Sequence, residues 1–320
     1  MIKKFFRDHY IHKKVAPKLD IFFILPIINL FFIWGTLTLG MAAAQIHIIG
    51  YPQNPLQFGF NQVILFFSMS LVYSSIILMD SKVNLIEPDK YRIFFPDLTI
   101  LPERSISIFI RLMQIISILL AAIIHFSLSI VYVMLIIGYL NYNKRINKEQ
   151  WSIIDFMIIN IITYIIFFTI GWFFVIHQSN LSDYYLVNFL KIIIGYIFSF
   201  ISLIFIVYVK EFDFNSTFKD RRIMVGSTIL LIIASIISLL NNDPILSIIS
   251  ITLMPFYLYG VFRFFDKDIT RIVRYSIFMH IFFCFTIYPL FCIPYIFGFY
   301  ISKYYYWHRY DIHFPAFAID

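Results

Sequence analysis

Charge is the scarcest property of this chain. Asp, Glu, Lys and Arg make up 13% of its 320 residues, against about a quarter in a soluble domain. Cysteine is nearly absent: Cys284 and Cys292 both lie in one late apolar segment, so no disulfide framework is expected and the redox compartment stays open. Glycine is sparse as well, and none of the 10 glycines forms a Gly-x-Gly pair. That excludes a Gly-rich phosphate loop and a collagen-like fibre. There is no Gly-x-Ser-x-Gly elbow to present a serine nucleophile. Residues 1–20 are basic and polar, with no short apolar run ending in small residues, so a cleavable signal peptide is not expected.

What abounds is apolar surface. Hydrophobic residues reach 61%, with 39 Phe and 22 Tyr. A water-soluble core of this length has no room to hide so much, so a soluble enzyme and a disordered chain are both excluded, and the lipid bilayer becomes the expected solvent. A spanning helix takes roughly 20 mostly apolar residues. Nine segments qualify: 21–44, 60–79, 105–124, 126–142, 152–176, 184–209, 223–241, 244–264 and 273–300. A tight turn near His125 divides the third from the fourth. The expected fold is therefore an all-α membrane protein of nine transmembrane helices forming one domain over 1–320, with a basic arm at 1–20 and an interfacial aromatic tail at 301–320.

The basic residues test this count independently. Of the 25 Lys and Arg residues, all except Arg111, Lys191, Lys303 and Arg309 fall in the arm or in the loops after the second, fourth, sixth and eighth segments, counting Arg263 and Arg274 at the very ends of the segments that flank the last loop. The alternate loops hold none. The positive-inside rule then predicts a cytoplasmic N-terminus and a C-terminus on the opposite side. The same one-sided distribution explains the net charge of +7 without nucleic acid as a partner.

Acids are equally uneven. Asp80, Glu87, Asp89, Asp97 and Glu103 share the loop after the second segment, and Glu211, Asp213 and Asp220 the loop after the sixth. Carboxylates at a helix end facing Lys and Arg suit a magnesium-bridged phosphate, because Mg2+ binds through one or two carboxylates plus waters and phosphate oxygens. The alternative is a solvated loop that only sets topology. Asp80 and Asn84 stand one helical turn apart, and Asp213 and Asp220 two turns apart.

The stretch Asp80-Ser-Lys-Val-Asn84 through Glu87-Pro88-Asp89-Lys90 to Arg92 resembles the first aspartate-rich motif of the UbiA-type intramembrane prenyltransferases. Gly138-Tyr139 to Lys144-Arg145 resembles the family's Tyr…Lys-Arg segment. Asp213-x-x-Ser216-x-x-x-Asp220-Arg221 resembles its second motif. The three occur in family order on one predicted membrane face, and the resemblance covers nearly the whole chain. There are departures. Ile76 and Ile77 stand where the family has Asn-Asp, Asn84 replaces an Asp, and Ser216 replaces another. A competing register at Lys210-Glu211 would put Phe214 and Phe218 at the later positions.

The resemblance implies a helical bundle with a central cavity. In it, a prenyl group passes from a polyprenyl diphosphate to a lipophilic or aromatic acceptor with Mg2+ as cofactor. Asp80, Asn84, Asp213 and Asp220 would hold the metal, with Asp80, Asp213 and Asp220 the residues on which catalysis depends. Lys90, Arg92, Lys144, Arg145 and Arg221 would hold phosphate. A degenerate relative that binds a prenyl lipid or a partner without catalysis is the alternative, and no protein partner is specified. A transporter is less favoured, since Gly-broken helix pairs are absent.

Other polar residues are weighed singly. Arg111, Asp155 and Lys191 fall inside segments, where snorkelling competes with a functional role. His47, His125, His177, His280, His308 and His313 show no zinc spacing. Pro26, Pro289 and Pro294 are expected to kink the first and last segments.

Overall fold

Apolar runs bounded by Pro, Asn and Asp fold here as helices. The computed structural model describes residues 9–19, 23, 27–48, 59–83, 103–146, 153–179, 185–211, 218–282 and 288–310. Its helices are α1 Tyr10–Leu19, α2 Ile27–Ile48, α3 Phe60–Val83, α4 Glu103–Ile124, α5 Phe126–Ile146, α6 Ile153–Ser179, α7 Tyr185–Glu211, α8 Phe218–Leu240, α9 Pro244–Phe262, α10 Asp266–Phe282 and α11 Cys292–Tyr310. No strand occurs among the described residues. Among the described residues seven helices are long and apolar enough to cross a membrane, all within α2, α3, α4 and α6–α9, and Phe126–Asn141 of α5 is a shorter apolar helix.

Exposure makes the case for a multi-pass membrane protein better than length does. On α4, Ile106, Ile110, Met113 and Ala121 are buried, which follows the helical period. The opposite face is just as apolar: Ile115, Leu119 and Ile123 are 55%, 60% and 67% exposed. A helix in water would carry charge there. A hydrocarbon solvent removes that need.

The chain divides into two compact units, one of Met1–Phe31, Gln57–Gln150 and Leu290–Asp320, the other of Phe32–Leu56 and Trp151–Pro289. In the first, α3, α4 and α5 pack on one another. Leu78 of α3 meets Ile106, Ile110 and Met113 of α4, and Ser68 of α3 shares a 3.0 Å hydrogen bond with Tyr132 of α5. The turn expected near His125 is one residue long: the Ser127 backbone N–H donates to His125 Nδ1 at 3.2 Å, in the manner of a helix cap.

Also in the first unit, α1 packs on α11. His12 Nδ1 lies 2.7 Å from the Tyr304 hydroxyl, and the His12 and His308 rings stack at 4.2 Å. Phe23 stacks on Tyr305 at 3.9 Å, and Tyr295 donates to the Phe31 carbonyl at 3.1 Å.

In the second unit α7 is the hub, touching α6, α8, α9 and α10. The α8–α9 turn is compact for a legible reason. Asn242 takes a left-handed φ of 52°. The Asp243 N–H reaches the Ser238 carbonyl at 2.8 Å, and the Asn242 N–H reaches that of Leu239 at 3.2 Å. That is a Schellman ending, followed at once by an Asp cap and a Pro in the first turn of α9.

The sequence expectations change in three places. Residues 273–300 do not form one helix: α10 ends at Phe282, and a 3-10 turn at Pro289–Phe291 leads into α11. Pro294 falls in the first turn of α11, where a missing N–H is tolerated, so it starts a helix instead of kinking one. Pro26, expected to kink the first segment, lies outside the described residues. Residues 301–310 of the tail are helical and belong to α11, with Tyr305 and Tyr306 buried.

Candidate functional site

The predicted site residues fall largely at helix ends. Asp80 is on the last turn of α3, Lys144 and Arg145 are on the last turn of α5, and Asp220 is on the first turn of α8. Asn84, Lys90, Arg92 and Asp213 lie outside the described residues. One turn before Asp80, Ile76 and Ile77 are buried at 3% and 7% exposure within the first unit. These two stand at the positions where the resembled family carries Asn-Asp. They pack as core, so among the described residues α3 offers Asp80 alone as a carboxylate.

Arg221 has a local task. Its Nε and Nη2 donate to the Val261 carbonyl at 3.2 and 3.1 Å, closing the C-terminus of α9, where carbonyls lack helical partners. Beside it, the α9–α10 turn holds a small ionic cluster. Asp268 is buried, 3.5 Å from Arg263 Nε and 3.6 Å from Arg271 Nη1. Both arginines are exposed at 60% and 71%, which leaves them open to solvent anions.

A second polar region lies at the opposite ends of the second unit's helices. Asp243 is 2% exposed. Its Oδ1 accepts from the N–H groups of Ile245 and Leu246 at 3.0 and 3.1 Å and from the Tyr196 hydroxyl at 3.4 Å. Its Oδ2 has no hydrogen-bond partner and stands 3.8 Å from His47 Nε2. The His47 ring is 6.2 Å from that of Trp172.

Deeper along α7 runs a satisfied set. Ser199 meets His280 Nε2 at 2.8 Å, and His280 Nδ1 meets the Ser276 carbonyl at 2.7 Å. Because a carbonyl only accepts, Nδ1 carries the proton and Ser199 donates to Nε2. Ser276 donates to the Tyr257 hydroxyl at 3.1 Å. Ser202 and Ser227 bond each other's carbonyls at 2.8 and 2.7 Å. With every member paired, this set binds α7 to α8, and α9 to α10, as interhelical glue.

Sequence reasoning weighed His47 only for zinc and passed over Asp243, which reads as an ordinary cap in Asn242-Asp243-Pro244. The available signal was an acid in a loop with no Lys or Arg. Among the described residues no group of three or more His, Cys, Asp or Glu is placed to hold a metal ion.

No protein-family model, curated protein or solved structure matches this chain.

Proposed function

We propose that this chain is an intramembrane prenyltransferase of the UbiA type. It would move a prenyl group from a polyprenyl diphosphate to a lipophilic or aromatic acceptor, with Mg2+ as cofactor and a central cavity for the chain. One observation carries the reading. Asp80, Lys144, Arg145 and Asp220 all sit on terminal helix turns, at the ends that the Lys and Arg distribution assigns to the cytoplasmic side. Carboxylates there meet a charged head group at the interface while the prenyl chain stays in hydrocarbon.

In this reading Asp80, Asn84, Asp213 and Asp220 hold the metal, which when bound offsets charge on the diphosphate. Lys90, Arg92, Lys144 and Arg145 orient the phosphates by charge-assisted hydrogen bonds. Arg221 contributes through its remaining guanidinium donors while capping α9. The apolar walls keep water from the reacting carbon.

Topology follows from the same premises. Among the described residues seven of the helices from α2 to α9 are long and apolar enough to cross, and this reading takes the shorter apolar α5 as an eighth crossing of the nine expected. The contacts of His12 with Tyr304 and of Phe23 with Tyr305 favour the end of α11 on the side of the basic arm.

A second reading, a non-catalytic prenyl-lipid binder, is favoured by the burial of Ile76 and Ile77. Release of inorganic diphosphate separates the two. Proteoliposomes given a polyprenyl diphosphate and Mg2+ should release it, and Asp80→Asn and Asp220→Asn should each reduce the rate at least about 100-fold, as loss of a charge-stabilising group does. No release across a panel of aromatic and lipid acceptors would leave the binder.

A further inference from the structure

The corner formed by His47, Trp172, Tyr196 and Asp243 is independent of the prenyl-transfer reading and lies wholly within the second unit. Its hydrogen bonding is incomplete in a specific way. Asp243 Oδ1 is fully used as the cap of α9 and as acceptor for Tyr196. Asp243 Oδ2, His47 Nε2 and Trp172 Nε1 are all buried without a hydrogen-bond partner. Capping requires one oxygen, so the second is not explained by it. Buried polar atoms are nearly always paired, and an ionisable group inside a membrane protein points to function by default.

A neutral imidazole presents one donor, and a protonated one presents two. Adding a proton to His47 guarantees a donor at Nε2, facing an anionic acceptor 3.8 Å away. We propose that His47 and Asp243 form a proton-binding site, with the proton held between His47 Nε2 and Asp243 Oδ2 beside the Trp172 ring. The step is balanced simply: hydronium gives up a proton, its O–H bond breaking as the Nε2–H bond forms, and water is left. Closure of the gap to about 2.8 Å, the length of a charged hydrogen bond, ties the end of α2 to the α8–α9 turn.

Among the described residues, the surrounding elements bring few other titratable groups near the pair. From α7 come Tyr196, which is bonded to Asp243, and Lys191, which is exposed and gives its carbonyl to Asn241. From α6 comes His177, exposed near the helix end. The α8–α9 turn adds only the neutral Asn241 and Asn242.

Trp172 supplies the readout, because an imidazolium quenches a neighbouring indole. The experiment follows emission of the full chain in detergent between about pH 5 and 8, where histidine changes charge. The Trp172 share is the part removed by Trp172→Phe. That share should fall as pH falls. His47→Gln should abolish the fall. Asp243→Asn, which keeps a capping acceptor, should weaken the fall, because the anionic acceptor facing Nε2 is gone. An unchanged response in His47→Gln overturns the proposal, as does flat Trp172 emission in folded protein. Should His47→Gln fail to fold, an undiminished fall in Asp243→Asn overturns it equally.

Discussion

Replacing Gly171 by Val should cost about 3 kcal/mol of stability, the upper range for overpacking, whereas Gly138→Ala should be neutral or mildly stabilising. The difference lies in what each position faces. A Cβ on Gly171 of α6 would overlap the Leu37 carbonyl and come within 3.0 Å of the Met41 nitrogen. A Cβ on Gly40 of α2 would in turn overlap the Phe168 carbonyl. The contact is reciprocal, with each glycine seated against the other helix's backbone. No rotamer change relieves a clash with backbone, so the helices must separate. Leu37, Met41 and Phe168, all buried, then lose their packing. In a membrane such close packing between small residues is a main source of helix association, since lipid is as apolar as leucine. Gly138 has nothing within 4 Å, and alanine there gains about 1 kcal/mol of helix propensity. Unfolding of the two variants in mixed detergent checks the contrast.

Asp243→Ala should be the next most damaging change, at about 3 kcal/mol. Loss of an N-cap costs about 0.5–2 kcal/mol, and a buried hydroxyl left without its acceptor costs about 1–3 kcal/mol more. Both apply, because Oδ1 serves the Ile245 and Leu246 N–H groups and Tyr196 together. Asp243→Asn keeps an acceptor and should lose less than about 1 kcal/mol. Thermal unfolding of the pair, with Tyr196→Phe as a third arm, checks the assignment. In an Asp243→Ala background, Tyr196→Phe should recover stability by removing the stranded hydroxyl.

Much of this architecture was legible because helix ends carry their own chemistry. The expected starts at Phe60, Phe126 and Pro244 coincide with the observed ones. Asn242-Asp243-Pro244 is a Schellman residue, a cap and a first-turn proline in succession. The last apolar segment misled because hydropathy measures transfer into lipid and is blind to where backbone N–H groups go. Pro289 and Pro294 begin a new helix there.

The candidate site was legible only in part. Asp80, Lys144, Arg145 and Asp220 could be assigned to helix ends, since charge marks the interface. The pairing of His47 with Asp243 was not readable, because it joins residues far apart in the chain through the packing of α2 against the α8–α9 turn. The unmatched Asp243 Oδ2 likewise emerges only once its other oxygen is seen to be occupied.

The most direct test of the central claim is ligand-dependent stability. Purified protein is unfolded thermally with a polyprenyl diphosphate, in Mg2+ and in chelator, for the native chain and for Asp80→Ala. A ligand at about 100 times its dissociation constant stabilises by about 2.7 kcal/mol. The account predicts that gain in Mg2+, its loss in chelator, and its loss in Asp80→Ala. Equal stability of the native chain under all three conditions, without ligand, with ligand and Mg2+, and with ligand and chelator, would contradict it.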